Sequence, residues 1–274
     1  PFHIPRYHAL PWPARHTWSG NEVANTEGAL MIPDESRMLE RLERLVAFDT
    51  QNPPGYELDA ARYLITELNN MGIDTSLSEF KPGRANVIGR LHNGPGPVFA
   101  FNSHIDVVPA GSGWTTDPLR LTERSGKLYG RGSCDAKGPI VGMLEAIGEL
   151  ARDPSAWSGT LLAVFVADEE VASEGARDFV ADRPDIDSCL IGEPTSNTAV
   201  TAHKGSMRPR VAVLGTMAHS GMPDAGENAI LRAGRLLGLI EEFHAEELCH
   251  RTHPLVGHAT LTVTRLSGGI ADNV

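Results

Sequence analysis

Leu161-Leu162-Ala163-Val164-Phe165-Val166-Ala167 runs without a polar residue straight into Asp168-Glu169-Glu170. A strand with one wet face alternates apolar and polar residues, because successive side chains point to opposite faces. An unbroken apolar run instead reads as a central strand buried on both sides, as in parallel sheets. Upstream, 98–102 and 87–91 are shorter apolar runs bounded by Gly and Pro, and downstream 188–191 is another; all three read as strands.

Helical spacing fills the intervals. Met38, Leu39, Leu42, Leu45 and Val46 follow Pro33-Asp34 and stop at Asn52-Pro53-Pro54-Gly55; Ala60, Ala61, Tyr63, Leu64 and Leu68 stop near Gly72. Ile140, Met143, Leu144, Ile147 and Leu150 place a helix over 136–151, and a further one is expected near 174–182. Strands alternating with helices predict an α/β fold with a mostly parallel twisted sheet flanked by helices. After Lys204 the texture changes. Runs at 211–214 and 259–264 alternate as antiparallel strands do, with a long helix over about 227–243 between them. This predicts a smaller inserted α+β domain. The expected division is an N-terminal extension at 1–30, a first domain at 31–205 and a second at 206–274.

Composition narrows the partners. The 274 residues carry 35 acidic against 24 basic side chains, a formal charge of −11. Nucleic acid and anionic membrane both select basic surfaces, so neither is expected. No apolar run approaches the ~20 residues that cross a bilayer. Cys134, Cys189 and Cys249 are too widely spaced for a disulfide framework or a Cys-x-x-Cys knuckle, and a reducing cytoplasm is the plain reading. Residues 1–21 have several prolines but no basic start with an apolar stretch behind it, so they do not read as a secretory signal. The sequence opens on Pro1 with no initiating Met, so a start further upstream or N-terminal processing is expected.

Ligands in open α/β sheets bind at the carboxyl ends of the strands, and there the polar residues gather. The 98–102 strand runs into His104-Ile105-Asp106. His104 and Asp106 face the same way along an extended chain, so the carboxylate can take one imidazole N–H and leave the other nitrogen for a metal. A lone His-x-Asp is more often an ordinary satisfied histidine. Asp135, in Gly130-Arg131-Gly132-Ser133-Cys134-Asp135, can be the N-cap of the following helix, a metal ligand, or both. Glu169 and Glu170 are adjacent carboxylates at the end of a buried strand, a repulsion that a cation offsets; surface exposure is the alternative. Glu193, in Gly192-Glu193-Pro194-Thr195, ends the 188–191 strand. Imidazole and carboxylates at four strand-end or turn positions fit a two-metal site sharing one bridging Asp.

These segments resemble the M20 family of metallopeptidases and deacylases, which includes acetylornithine deacetylase, succinyl-diaminopimelate desuccinylase, aminoacylase and glutamate-releasing carboxypeptidases. The matching stretches are Ser103-His104-Ile105-Asp106-Val107-Val108-Pro109, Tyr129-Gly130-Arg131-Gly132 with Asp135 and Lys137-Gly138, Asp168-Glu169-Glu170, Gly192-Glu193-Pro194-Thr195, and Ala218-His219-Ser220 with Pro223, Gly226 and Asn228-Ala229-Ile230. They stand in family order over roughly 35–274. The Gly192-Glu193-Pro194-Thr195 run and Cys134, just before Asp135, look most like the acetylornithine deacetylase/desuccinylase branch.

The resemblance implies two zinc ions, with cobalt a possible substitute. His104 and Glu193 would hold one, Glu170 the other, and Asp135 would bridge them. Glu169 would be the general base and Asp106 would orient His104. His219, on the lid domain, would reach the active site of a partner subunit in a homodimer, with pairing expected at an edge strand near 208–215. Asn273 would lie near substrate. The implied reaction is hydrolysis of an amide bond in a small N-acylated amino acid or short peptide. A dipeptidase or carboxypeptidase of the same family, or a truncated non-catalytic binding module, stands beside it. Ala136 stands where the family usually has Met, and Gly221 where a second Ser is common. The family chain also returns from the lid to supply a final histidine, which is expected beyond Val274.

Overall fold

The computed structural model describes residues 33–182, 184–271 and 273. The N-terminal extension expected at 1–30 lies outside the described residues. The chain divides into two compact units, one ending at Glu193 and the other beginning at Pro194.

The first unit is α/β. Its elements in order are α1 (Glu35–Ala47), α2 (Leu58–Asn70), β1 (Asp74–Lys81), β2 (Arg84–Asn93), β3 (Val98–His104), β4 (Thr122–Arg124), β5 (Lys127–Tyr129), α3 (Lys137–Arg152), β6 (Gly159–Val166), α4 (Glu174–Ala181) and β7 (Ser188–Ile191). The main sheet has the order β1-β2-β6-β3-β7. The pairs β6–β3 and β3–β7 are parallel, and β2–β6 and β1–β2 are antiparallel. The second sheet is the β4–β5 hairpin.

Every residue of β6 is buried, as its apolar run predicts. Leu161, Ala163 and Phe165 face a core shared with Leu45, Leu64, Leu68, Ile140, Leu144 and Ile147 from α1, α2 and α3. Leu162, Val164 and Val166 face the opposite side, where Ala100, Phe179 and Ile186 meet them. The period of two thus divides one strand between two cores. Parallel β6 and β3 end side by side, with His104 opposite Val166. That register brings His104 and the acidic turn to one edge of the sheet.

The second unit holds α5 (Ala229–Glu246) and a short hairpin of β8 (Thr252–His253) with β9 (Gly257–His258). Asn228 caps α5, its side chain accepting from Leu231 N at 3.0 Å. The runs at 211–214 and 259–264, expected to be strands, are not, and no edge strand forms near 208–215. Alternation alone supplies no ladder partner, and Val211 and Leu214 stay 68% and 79% exposed. With no sheet to receive it, α5 buries none of its residues. Among the described residues no helix is long and apolar enough to cross a membrane.

One ion-pair cluster ties α1 to α3. Glu145, buried on α3, takes Arg41 Nη1 at 3.1 Å and a two-pronged contact from Arg37; Arg41 Nε also reaches Glu67 at 2.7 Å. The Arg37 hydrogen bond, stronger than the opposing effect of burial, holds the Glu145 carboxyl below its ordinary 4.5. A carboxylate with a depressed folded pKa stabilises fully above the unfolded value, and that contribution is lost as pH falls through the folded one. Glu145→Gln should therefore cost about 2 kcal/mol in urea unfolding at pH 7. The gap to the parent should close as pH drops below 4.5; a gap independent of pH would show that the charge is not what stabilises.

Candidate metal centre

The site sits where β3 and β6 end. His104, the last residue of β3, is 1% exposed. Its Nδ1 lies 2.8 Å from the backbone oxygen of Asp106. A carbonyl only accepts, so Nδ1 carries the proton and, in the neutral ring, Nε2 presents a lone pair. That lone pair faces Asp135 Oδ1 at 3.0 Å, with Glu193 Oε1 at 3.8 Å. Acceptors so placed repel unless a proton or a cation lies between them. Burial opposes charge on His104, yet Asp106, Glu193 and Glu169 outweigh it and raise the imidazole pKa.

Asp135 reaches this place on a loop whose turn depends on Gly132. That residue is left-handed at φ +86, and a Cβ there would come within 2.5 Å of Val107 Cγ1. The N-cap of α3 is Ala136, with no side-chain cap bond. Asp135 is therefore not the helix cap; its carboxylate is committed to the His104 side. Lys137, fully buried behind the loop, donates to Phe48 O at 2.9 Å, and desolvation lowers it to about 8.

Glu169 and Glu170 stand on the turn after β6. Asp168 there is left-handed, at φ 65, and the buried Asp106 carboxylate accepts the backbone N–H of Glu169 at 3.0 Å and of Glu170 at 3.2 Å. Here the structure corrects one assignment. Asp106 orients His104 through its backbone carbonyl, while its carboxylate Oδ1 stands 3.7 Å from Nδ1. Two backbone N–H groups and the Asn52 amide, at 2.8 Å, occupy that carboxylate instead.

His104, Asp135 and Glu170 offer ligand atoms all within 4.8 Å of one another. One borderline imidazole nitrogen with hard carboxylate oxygens is a donor set for a divalent cation. Burial first, and Asp135 next among like charges, pushes the Glu170 carboxyl up; burial and Asp135 do the same to Glu193, against His104. A cation is the natural relief for that crowding. Glu193, half-buried, stands on the same Nε2 side of His104, its Oε1 at 3.8 Å. Glu169 is exposed beside the cluster.

His219 and Asn273 belong to the second unit. Gly221 N donates to His219 Nδ1 at 3.0 Å, and Ser220 N donates to Asn273 O at 3.0 Å, so the two expected lid residues sit on neighbouring strands of chain. Sequence reading passed over Asn52, whose Asn-Pro-Pro-Gly setting looked like a helix stop alone. It also missed Arg84, which no motif marks.

A model of peptidase family M20/M25/M40 matches residues 100–269. The chain belongs to that family. Its members are metallopeptidases and amidohydrolases, and the candidate metal group stands within the matched span. The chain is 36% identical over 206 residues to a probable succinyl-diaminopimelate desuccinylase of Staphylococcus epidermidis, covering 73% of this chain and 50% of that protein. It is 36% identical over 197 residues to an acetylornithine deacetylase of Photorhabdus laumondii, covering 70% and 50%. The chain thus spans about half the length of the curated relatives it matches. A tripeptidase of Staphylococcus aureus shares the fold at a TM-score of 0.62 and 18% identity, over 89% of this chain and 64% of that one. An aminopeptidase of Bacillus cereus does so at 0.54 and 19%, over 75% and 57%.

Calorimetric titration with Zn2+ should register binding by this M20 chain. His104→Ala and Asp135→Ala should each weaken it by more than the roughly 10- to 100-fold typical of losing an outer-shell partner. Unchanged binding in both variants would remove these residues from the centre.

Proposed function

We propose that this M20 chain carries the catalytic core of a zinc-dependent amidohydrolase that removes the acyl group from a small N-acylated amino acid. The observation that carries the reading is the convergence of His104, Asp135 and Glu170 at the sheet edge, in a chain 36% identical to a desuccinylase. His104 and Glu193 would hold one zinc, Glu170 the second, and Asp135 both; Co2+ would substitute. Divalent ions so held polarise an acyl carbonyl and lower the pKa of water.

The protein's own groups do the rest. Glu169 is next to the cluster yet outside its ligand set, the position a general base requires. It takes a proton from the attacking water and returns it to the amide nitrogen as the C–N bond breaks. Asp106 holds the Glu169 backbone in place for both transfers. His219 accepts a backbone N–H at Nδ1, so its neutral ring carries the proton on Nε2. That N–H is a donor suited to the oxyanion of a tetrahedral acyl-transfer step. In a homodimer it would serve the partner's site, with Asn273 contacting substrate beside it. Three free cysteines fit a cytoplasmic enzyme.

Glu169→Ala should keep its metal and lose turnover of N-succinyl or N-acetyl amino acids by about 10²- to 10⁴-fold. Near-parental turnover would refute the base assignment. Hydrolysis of dipeptides in preference to N-acyl amino acids would transfer the reading to a peptidase. Mixing His219→Ala with Glu169→Ala subunits tests the dimer. If His219 acts in trans, hybrid dimers hold one intact site and regain part of the activity. Proven subunit exchange with no regain would place His219 within its own subunit's chemistry or outside catalysis.

A further inference from the structure

A buried polar chain runs behind the acidic turn. Glu57, 0% exposed at the start of α2, accepts Arg84 Nη2 at 2.6 Å and Nε at 3.1 Å. The third guanidinium nitrogen, Nη1, lies 3.0 Å from Asp168 Oδ1. Asn52 Nδ2 donates to the same Oδ1 at 2.9 Å and to Asp106 Oδ2 at 2.8 Å. Asp106 then holds the backbone N–H groups of Glu169 and Glu170, and Asp168 Oδ2 accepts from Glu174 N at 3.1 Å, closing the far end of the turn. Among the described residues no other cation pairs with Glu57 or Asp168.

Two features separate this chain from an ordinary buried ion pair. Asp168 keeps a left-handed backbone, at φ 65, which a residue with a Cβ holds only where its surroundings fix it. Arg84 is confined too. Gly55, left-handed at φ +79, lets the backbone press on the guanidinium, and a Cβ there would stand 2.4 Å from Cζ. The Asn52–Asp106 branch thus ends on the backbone N–H groups of Glu169 and Glu170, and the Asp168 branch on that of Glu174, at the far end of the same turn.

We propose that Arg84, backed by Glu57, is a positioning residue for the metal centre: it fixes Asp168 and, through Asn52, Asp106, and so sets where Glu170 meets the metal. Arg84 touches neither ligand nor substrate. Its planar fork holds Glu57 through two nitrogens and Asp168 through the third, a rigid geometry that the single ammonium of a lysine does not supply. The inference rests on the reading of His104, Asp135 and Glu170 as a metal site.

The test is a Co2+ titration followed by visible absorption, on the purified protein well below its unfolding temperature. Arg84→Met alone leaves Glu57 and Asp168 both without a cation, so the decisive variant is Glu57→Gln with Arg84→Met, which neutralises the Glu57 end and leaves Asp168 held by Asn52 and the Glu174 N–H alone. Co2+ affinity should fall about 10- to 100-fold with a changed ligand-field spectrum, while far-ultraviolet circular dichroism stays parental. Arg84→Lys should fall between the two. A folded double variant with the parental affinity and spectrum would reduce Arg84 to a structural ion pair and overturn the inference. Should the double variant not fold, Arg84→Lys and Asn52→Ala carry the test, and parental Co2+ binding in both overturns it equally. A parent that binds no Co2+ would sink the reading of the centre itself, and the inference with it.

Discussion

Asp106 is 0% exposed, and both of its oxygen-bearing groups are used. The backbone carbonyl fixes the ring of His104, and the carboxylate gathers the N–H groups of Glu169 and Glu170 with the amide of Asn52. One residue thus welds the end of β3 to the turn after β6. Without its carboxylate, two backbone donors and the Asn52 amide would each lose an acceptor, at about 1–3 kcal/mol apiece where buried. The parallel register of β3 on β6 decides that these partners are within reach.

Charge sets the second constraint. Six carboxyl groups crowd this end of the sheet, Asp106, Asp135, Asp168, Glu169, Glu170 and Glu193, and Arg84 compensates from behind through Asp168. On the front, His104 is drawn toward its charged form, and Glu170 and Glu193 toward their neutral ones. All three shifts run upward, the sign of excess negative charge that a proton or a cation offsets. The rear network rigidifies while the front set binds, and Asp106 joins them.

The second unit follows a different rule. Its apolar residues lie outward on α5 and along the irregular segments, with Leu231 66% and Leu239 61% exposed. An amphipathic helix gains stability from a partner surface more than from propensity. Within this unit the hairpin of β8 and β9 is too short to offer one.

Much of the first unit was legible in residue order. An apolar run as long as 161–167 can only be buried on both sides, and the ends of such strands are where an α/β sheet presents polar groups, so His104, Glu169, Glu170 and Glu193 could be picked out by position. Alternation at 211–214 and 259–264 misled, because a period of two describes side-chain directions and says nothing of whether a neighbour supplies hydrogen bonds. Asp135 was ambiguous between cap and ligand for a similar reason: both roles place a carboxylate just before a helix. Local pattern determined which segments are strands of the core and which residues end them. Tertiary structure alone decided that Asp106 acts on His104 through its carbonyl, that Asn52 bridges two carboxylates, and that Arg84 stands behind the turn. The contacts of Asn52 and Arg84 join positions 27 to 116 residues apart, and no local periodicity encodes a distance across the chain.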